Sequence, residues 1–192
     1  MRLVLATRND HKAEEFSALL APHEVVALPP EVELPPETGT TFAENALGKA
    51  RAAARALGAV AIADDSGIES TALGGRPGVY SARFAGADAT DQENLDKLLA
   101  EAPAGSALAY VCVIALVDPS SGAESLFEGR CTGTLAAEPR GTGGFGYDPA
   151  FLPDDAIPAP AGRTMAELSP EEKGAISHRG RAAALLAEHL GG

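Results

Sequence analysis

Residues 63–67 read Ala-Asp-Asp-Ser-Gly and place two neighbouring carboxylates directly after a short apolar run. That run, residues 58–63, begins with a glycine and predicts a buried strand. Two adjacent carboxylates repel each other unless a cation or a shared proton compensates for their charge. Mg²⁺ prefers oxygen ligands and commonly binds one or two carboxylates together with substrate phosphates. Asp64 and Asp65 therefore indicate metal-assisted phosphate chemistry at a strand end, although Asp-Ser-Gly is also common in solvated turns.

A second polar segment, Thr7 to Lys12, follows a predicted first strand and precedes a helix with apolar residues at helical spacing. Asn9 or Asp10 can cap that helix. The N–H groups and the dipole at a helix N-terminus favour an anion, and Lys12 adds a positive charge. The segment is therefore either a phosphate-binding loop or an ordinary helix cap with a surface lysine.

A connector rich in proline and glycine, residues 29–39, cannot be helical and carries Glu37. A long helix is predicted next, from Thr41 to Leu57. Thr41 and Glu44 form a capping box at its start, and Gly58 ends it. Glu44 therefore has a structural role, whereas Glu37 has none and is the better candidate for a metal ligand.

Residues 141–146 match the pattern G-x-G-x-x-G, but their context argues against dinucleotide binding. That pattern must follow a strand and open a helix, and here Pro149 pushes Asp148 out of helical geometry. The loop instead presents Phe145, Tyr147 and Asp148. An aromatic face beside a carboxylate suits a purine base. The alternative is a surface loop whose two aromatic residues anchor it to the core.

A further helix start is predicted at Ser169, with Pro170 at its first position. Lys173 and His178 are five residues apart, so on one continuous helix their side chains would diverge by about 140°. If both face one ligand, the helix must break between Gly174 and Ser177. The alternative is a charged, exposed helix end.

The remaining pattern predicts one mixed α/β domain. Apolar runs at 108–117 and 124–134 are separated by turn residues and predict an antiparallel hairpin, so the sheet is mixed. A chain of 192 residues, 45% hydrophobic and 22% charged, is long enough for one globular domain with two lobes.

Charge and composition exclude several classes of function. A formal net charge of −12 argues against binding a nucleic acid polymer. Cys112 and Cys131 are too few for a disulfide framework and read as buried thiols. The first apolar run, Leu3 to Ala6, is too short for a signal peptide or a membrane span. We therefore expect a cytoplasmic enzyme or binding protein that does not associate with membranes.

Taken together, these segments resemble the inosine triphosphate (XTP/dITP) pyrophosphatase family. The resemblance runs from Leu3 to Leu190 in six separated motifs. These motifs are Thr7-x-Asn9-x-x-Lys12, Glu37-Thr38-Gly39 with Thr41-Phe42-x-Glu44-Asn45-Ala46, Ala63-Asp64-Asp65-Ser66-Gly67, Leu73-Gly74-Gly75-x-Pro77-Gly78-Val79-Tyr80-Ser81-Ala82-Arg83, Gly141 to Pro149, and Glu172-Lys173 with Ile176-Ser177-His178-Arg179.

The resemblance implies an elongated fold in which a mixed sheet, flanked by helices, forms two lobes around a central cleft. It implies a single pyrophosphatase domain over residues 1–192 that hydrolyses ITP, dITP and XTP to the monophosphate and pyrophosphate. It also implies dependence on Mg²⁺ and a homodimer.

The same resemblance assigns roles to individual residues. The substrate phosphates would be bound by Thr7, Arg8, Asn9, Asp10, His11 and Lys12. Glu37 and Asp65 would bind Mg²⁺, Asp65 would also accept a proton from the attacking water, and Ser66 would contact the substrate. The base pocket would consist of Phe145, Gly146, Tyr147, Asp148, Lys173, His178 and Arg179.

Two other functions stay open at this point. A nucleotide pyrophosphatase of the Maf type, acting on other modified nucleoside triphosphates, would share the metal chemistry. A nucleotide-binding regulator without catalytic activity would share the binding residues, but it would have no use for the cluster of Glu37, Asp64 and Asp65.

Overall fold

A mixed sheet of six strands forms the framework of the computed structural model, which describes residues 1–155 and 162–191. Their order in the sheet is β2-β1-β3-β4-β5-β6. Strand β1 pairs in parallel with β2 and β3, and β5 pairs antiparallel with β6, which confirms the predicted mixed sheet. The strands are β1 (Arg2–Leu5), β2 (Glu24–Ala27), β3 (Ala61–Ser70), β4 (Ala107–Asp118), β5 (Ala123–Leu135) and β6 (Phe151–Pro153).

The helices begin and end largely where the sequence predicts. Thr41 and Ser169 cap their helices with capping boxes, and Gly58 ends the second helix in a left-handed conformation with φ 59°. The fourth helix stops before Ser177, whose extended backbone separates it from the fifth. The break meets the condition under which Lys173 and His178 could face one ligand. The helices are α1 (Asp10–Leu19), α2 (Phe42–Leu57), α3 (Asp91–Glu101), α4 (Pro170–Ile176) and α5 (His178–His189).

The chain divides into two compact units. The first unit contains residues 1–65, 112–129 and 179–192, and the second contains residues 66–111 and 130–178. The first unit has two apolar clusters, one built around Phe16 and Ile62 and the other around alanines of α2 such as Ala50. The second unit has one cluster, which includes Tyr110 and Phe151.

One prediction about the sheet is wrong. Asp64 and Asp65 do not follow the end of a strand but lie in the interior of the ten-residue strand β3. Both side chains are buried. A strand interior can hold two carboxylates when cations and hydrogen-bond donors stabilise their charges, and the partners described below do so.

Three further features of the described residues concern the glycine-rich loop, the cysteines and the length of the helices. The glycine-rich loop leads into a short 3₁₀ turn at Asp148–Ala150 and not into an α-helix. Cys112 and Cys131 are buried and form no disulfide. Within residues 1–155 and 162–191, every helix is too short or too polar to cross a membrane.

Candidate active site

The N-terminus of α1 positions a lysine against a buried aspartate in the first unit. Asn9 caps the helix, because its side-chain oxygen accepts a hydrogen bond from Lys12 N at 3.1 Å. Thr7 Oγ1 accepts in turn from Asn9 N at 3.2 Å. The Lys12 ammonium then reaches Asp64 Oδ2 at 2.8 Å. The structure confirms the helix cap and shows that Lys12 is not a surface lysine but pairs with Asp64. Phosphate binding by Thr7, Asn9 and Lys12 stays a prediction.

A second cation faces the same carboxylate. Arg179, at the start of α5, places Nε 3.7 Å from Asp64 Oδ2 and donates from Nη1 to Glu15 Oε2 at 3.0 Å. The Arg179 side chain is buried. The sequence assigned Arg179 to the base pocket, whereas the structure brings it to Asp64. A contact between Arg179 and a base stays a prediction.

The pKa values of the two adjacent aspartates are shifted in opposite directions. Burial raises the pKa of Asp64, but the charges of Lys12, Arg179 and Lys49 outweigh it and hold that pKa well below its usual value. Burial also raises the pKa of Asp65, and the nearby Glu37 charge adds to that effect. Lys49 and a hydrogen bond from Asn45 offset it only in part, so the pKa of Asp65 is above its usual value. Asp64 is therefore a fixed anion, and Asp65 is the stronger base.

Helix α2 supplies two site residues that the sequence analysis did not assign. Asn45 Nδ2 donates to Asp65 Oδ2 at 2.8 Å, and Lys49 Nζ binds Glu37 Oε1. Asn45 and Lys49 are four residues apart and so lie on one face of the helix. Both are buried. The signal was present in the sequence, since a lysine among the alanines on the buried face of a helix needs an acidic partner.

The carboxylates of Glu37 and Asp65 suit Mg²⁺. Within the described part of the chain, no three His, Cys, Asp or Glu side chains gather into a complete metal site. Mg²⁺ does not require one, because it usually takes one or two carboxylates and completes its shell with water and substrate phosphates. The negative charge of Glu37 raises the pKa of Asp65, and a divalent cation would relieve that repulsion.

The guanidinium of Arg8 has a structural role. It donates at 2.6 to 3.3 Å to the backbone oxygens of Leu28 and of three connector residues, Pro29, Pro30 and Val32. This fastens the first loop to the connector that leads to Glu37. Asp10 and His11 lie exposed in the first turn of α1. Phosphate contacts from Arg8, Asp10 and His11 stay predictions.

A groove of about 760 Å³ adjoins the loop of residues 7–9, which precedes α1. Its walls come from the loop, from α1 and from β2, and include Thr7, Asn9 and Val25. Among the described residues, the lining of the groove does not include Lys12, Asp64 or Asp65. The groove is therefore not the carboxylate site.

In the second unit, Asp148 is the centre of a buried network. Its Oδ2 accepts from Lys173 Nζ at 2.9 Å and from Phe145 N at 3.0 Å. Its Oδ1 accepts from Tyr110 OH at 3.0 Å. The side chain is only 3% exposed. Asp148 therefore organises the loop and the lysine around it.

The two aromatic residues of the glycine-rich loop differ in how deeply they are buried. Phe145 is half-buried, and the Lys173 ammonium lies 5.2 Å from its ring centre. Tyr147 is buried and donates from its hydroxyl to Ser81 O at 2.7 Å. Tyr147 is thus an anchor to the core, as one reading of the sequence allowed, and its contact with a base stays a prediction.

The other predicted residues of this unit take defined places. Gly146 N donates to Asp91 Oδ2 at 2.9 Å, so the first residue of α3 holds the loop. The His178 ring stacks on Tyr110 with centroids 4.6 Å apart and planes 8° apart. Ser66 is half-buried and directly follows Asp65 in β3. Phe145, Asp148, Lys173 and, through Tyr110, His178 therefore form one connected cluster.

Comparison with known proteins shows the family to which the chain is similar. The sequence model of the Ham1 family matches residues 3–189. A dITP/XTP pyrophosphatase of Symbiobacterium thermophilum is 53% identical over 98% of this chain and 94% of its own. A dITP/XTP pyrophosphatase of Geobacter sulfurreducens is 48% identical over 99% of this chain and 96% of its own.

Solved structures agree with the sequence relatives. A Ham1 protein from Coxiella burnetii superimposes with a TM-score of 0.85 at 42% identity, covering 99% of this chain and 98% of its own. The Ham1 protein of Staphylococcus aureus gives a TM-score of 0.82 at 40% identity, with 99% and 98% covered. These similarities confirm both the predicted fold class and the resemblance.

Proposed function

Because the chain belongs to the Ham1 family, we propose that it hydrolyses ITP, dITP and XTP to the nucleoside monophosphate and pyrophosphate. It is a hydrolase of phosphoric anhydride bonds in non-standard purine nucleotides, and it removes them from the nucleotide pool. Relatives that match nearly its whole length carry the name dITP/XTP pyrophosphatase.

The observation that carries the proposal is the different environment of Asp64 and Asp65 on strand β3. Two cations face Asp64, at 2.8 Å and 3.7 Å. Asp65 instead faces the amide of Asn45 and keeps a raised pKa. Neighbouring acids whose environments push their pKa values apart are typical of acid–base catalysis.

Each residue then has a part in the reaction. A water oxygen forms a bond to the α-phosphorus, the bond to the bridging oxygen breaks, and pyrophosphate leaves. The water proton passes to Asp65, which faces the neutral amide of Asn45, whereas Lys12 and Arg179 hold Asp64 as an anion. Lys12 and the N-terminus of α1 stabilise the phosphate charge, and Asp64 holds the Lys12 ammonium in place.

Mg²⁺ is the cofactor in this proposal, with Glu37 and Asp65 as its ligands. When bound, it would neutralise phosphate charge and polarise the phosphoryl oxygens. Lys49 contacts Glu37 in the structure and fixes the position of that carboxylate on the connector.

Base selectivity would come from the cluster around Asp148. Hypoxanthine and xanthine carry an oxygen at position 6, where adenine carries an amino group. Donors such as Lys173 and His178 would pair with that oxygen and would meet the adenine amino group without an acceptor. The half-buried ring of Phe145 would pack on the base.

The alternative functions have less support. The relatives that match nearly the whole chain are named for dITP and XTP, which disfavours a Maf-type enzyme. A regulator without activity would not need a buried base beside a metal-binding carboxylate. The homodimer and the cytoplasmic location belong to the same proposal and rest on the sequence alone.

A substrate panel tests the proposal. Purified protein is given ITP, XTP, dITP, ATP, GTP and UTP, with Mg²⁺ or with EDTA, and pyrophosphate release is measured. We expect turnover of ITP, XTP and dITP only with Mg²⁺ and discrimination against ATP. A preference for UTP would favour a Maf-type enzyme, and tight binding of ITP without turnover would favour a regulator.

A further inference from the structure

Tyr110, in the part of β4 that belongs to the second unit, contacts two residues of the proposed base pocket. We propose that Tyr110 is a positioning residue for purine selectivity, because its hydroxyl holds Asp148 and, through Asp148, the Lys173 ammonium beside Phe145. This inference rests on the proposed function. In the sequence, Tyr110 is one residue of an apolar strand and carries no motif.

The hydroxyl completes the hydrogen bonds of a buried carboxylate. Tyr110 OH donates to Asp148 Oδ1 at 3.0 Å, while Lys173 Nζ and Phe145 N donate to Oδ2. Donors to both oxygens fix the rotation of the carboxylate. Without the hydroxyl, only Oδ2 keeps its donors, so the orientation of the carboxylate and the position of the Lys173 ammonium are less firmly fixed.

The ring of Tyr110 is fixed independently of its hydroxyl. It stacks on the His178 ring at 4.6 Å and contacts the Phe151 ring at the same centroid distance with a tilt of 33°. A phenylalanine at this position preserves both ring contacts. The substitution Tyr110→Phe therefore removes the hydroxyl alone.

A purely structural role makes a different prediction. Tyr110 is only 7% exposed and belongs to the apolar cluster of its unit. If the hydroxyl served stability alone, its removal would lower the unfolding temperature and would change the turnover of ITP and ATP by the same factor. A positioning role changes the ratio of the two turnovers.

The first experiment measures kcat/KM for ITP and for ATP in Tyr110→Phe. We expect the ITP-to-ATP ratio to fall by roughly tenfold or more, because a hydrogen bond to a charged group is lost next to the base. Tyr80→Phe removes a hydroxyl from a side chain that is 54% exposed, and it should leave the ratio unchanged. An unchanged ratio in Tyr110→Phe overturns the inference.

A double-mutant cycle tests the route through Asp148. In an Asp148→Asn background, the carboxylate that Tyr110 orients is gone, so adding Tyr110→Phe should change the ratio little. Fully additive effects would overturn the route. The ratio keeps the test open if Tyr110→Phe lowers the folded fraction, because a smaller folded fraction lowers kcat/KM for ITP and for ATP by the same factor.

The two possible failures are distinguishable. If the wild-type protein releases pyrophosphate from ITP in preference to ATP but Tyr110→Phe keeps that preference, only the inference about Tyr110 fails. If the wild-type protein shows no preference for ITP, the proposed function and the inference fail together.

Discussion

Asn45 joins Asp65 to the connector that carries Glu37. Its side-chain nitrogen donates to Asp65 Oδ2 at 2.8 Å, and its side-chain oxygen accepts from Gly39 N at 2.8 Å. A Cβ at Gly39 would lie 2.7 Å from that oxygen, so only glycine allows this approach. One buried amide therefore fixes the spacing between the two proposed metal ligands.

Asn45→Asp should reduce turnover more than stability. The new carboxylate can still accept from Gly39 N, but it puts a second negative charge beside Asp65 and removes the donor. We expect turnover to fall by about tenfold or more, because Asp65 loses the hydrogen bond that orients it and the like charge favours its protonated form, which cannot accept a proton. Steady-state kinetics with ITP and urea unfolding measure the two effects.

The matched control is Asn94→Asp. Asn94 is also buried and also bridges two groups, which here are both backbone, because it accepts from Ala85 N at 2.8 Å and donates to Ala82 O at 3.2 Å. Losing that donor costs about 1–3 kcal/mol of stability with little change in turnover. Equal losses of turnover in Asn45→Asp and Asn94→Asp would remove the special role of Asn45.

Gly144→Ala should impair base selectivity. Gly144 has φ 68°, and a Cβ there would lie 2.1 Å from Asp148 Oδ2. The carboxylate must therefore move, and its contacts with Lys173 and Phe145 N weaken. We expect the ITP-to-ATP ratio of kcat/KM to fall, again by about tenfold, as for a lost charged hydrogen bond.

Gly122→Ala separates the clash from backbone strain. Gly122 has φ 73°, and no atom lies within 4 Å of the position of its Cβ. Its substitution should cost about 1–2 kcal/mol through backbone strain and leave the ratio unchanged. If both alanine variants change the ratio alike, strain and not the position of Asp148 explains the effect.

Tyr147→Phe should change how stability depends on pH. Burial and the charge of Asp91 raise the pKa of Tyr147 in the folded protein. The neutral hydroxyl therefore stabilises the fold fully below the unfolded-state pKa of about 10, and this contribution is lost as pH rises from there toward the folded-state pKa. At neutral pH the variant should lose about 1 kcal/mol with the hydrogen bond to Ser81 O.

Urea unfolding of Tyr147→Phe and the wild type from pH 7 to pH 11 tests this expectation. The stability advantage of the wild type should shrink above pH 10, because only its unfolded state releases the Tyr147 proton there. A constant advantage across the range would show that Tyr147 titrates normally in the fold.

The sequence predicted the local features well because they depend on neighbouring residues. The capping boxes of Thr41 and Ser169 and the break at Ser177 are set within a few positions. The roles of Lys49 and Tyr110 were missed because their partners, Glu37 and Asp148, are 12 and 38 residues away. In sequence, the position of Lys49 among alanines shows that it needs an acidic partner but not which one, and Tyr110 looks like core.

The prediction that Asp64 and Asp65 follow the end of a strand was wrong for a related reason. Two adjacent carboxylates predict a chain that leaves the core, because burying unpaired charges is costly. The structure keeps them inside β3, since Lys12 and Asn45 reach them from α1 and α2. Such neutralisation depends on tertiary contacts and cannot be read from the strand alone.

Asp65→Asn should preserve the fold and lose most of the turnover. The amide has nearly the same shape, but it neither accepts a proton well nor binds Mg²⁺ strongly. We expect kcat for ITP to fall by about 10² to 10⁴-fold, the usual range for loss of a general base. Near-normal kcat at saturating Mg²⁺ would move the catalytic role to Asp64 or Glu37.

The identity of the first products tests the central claim most directly. Hydrolysis of ITP with Mg²⁺ is followed by ³¹P NMR from the earliest time at which product is detectable. The proposed reaction gives IMP and pyrophosphate in equal amounts, with no IDP at any time. The appearance of IDP and orthophosphate as first products would contradict the proposed function.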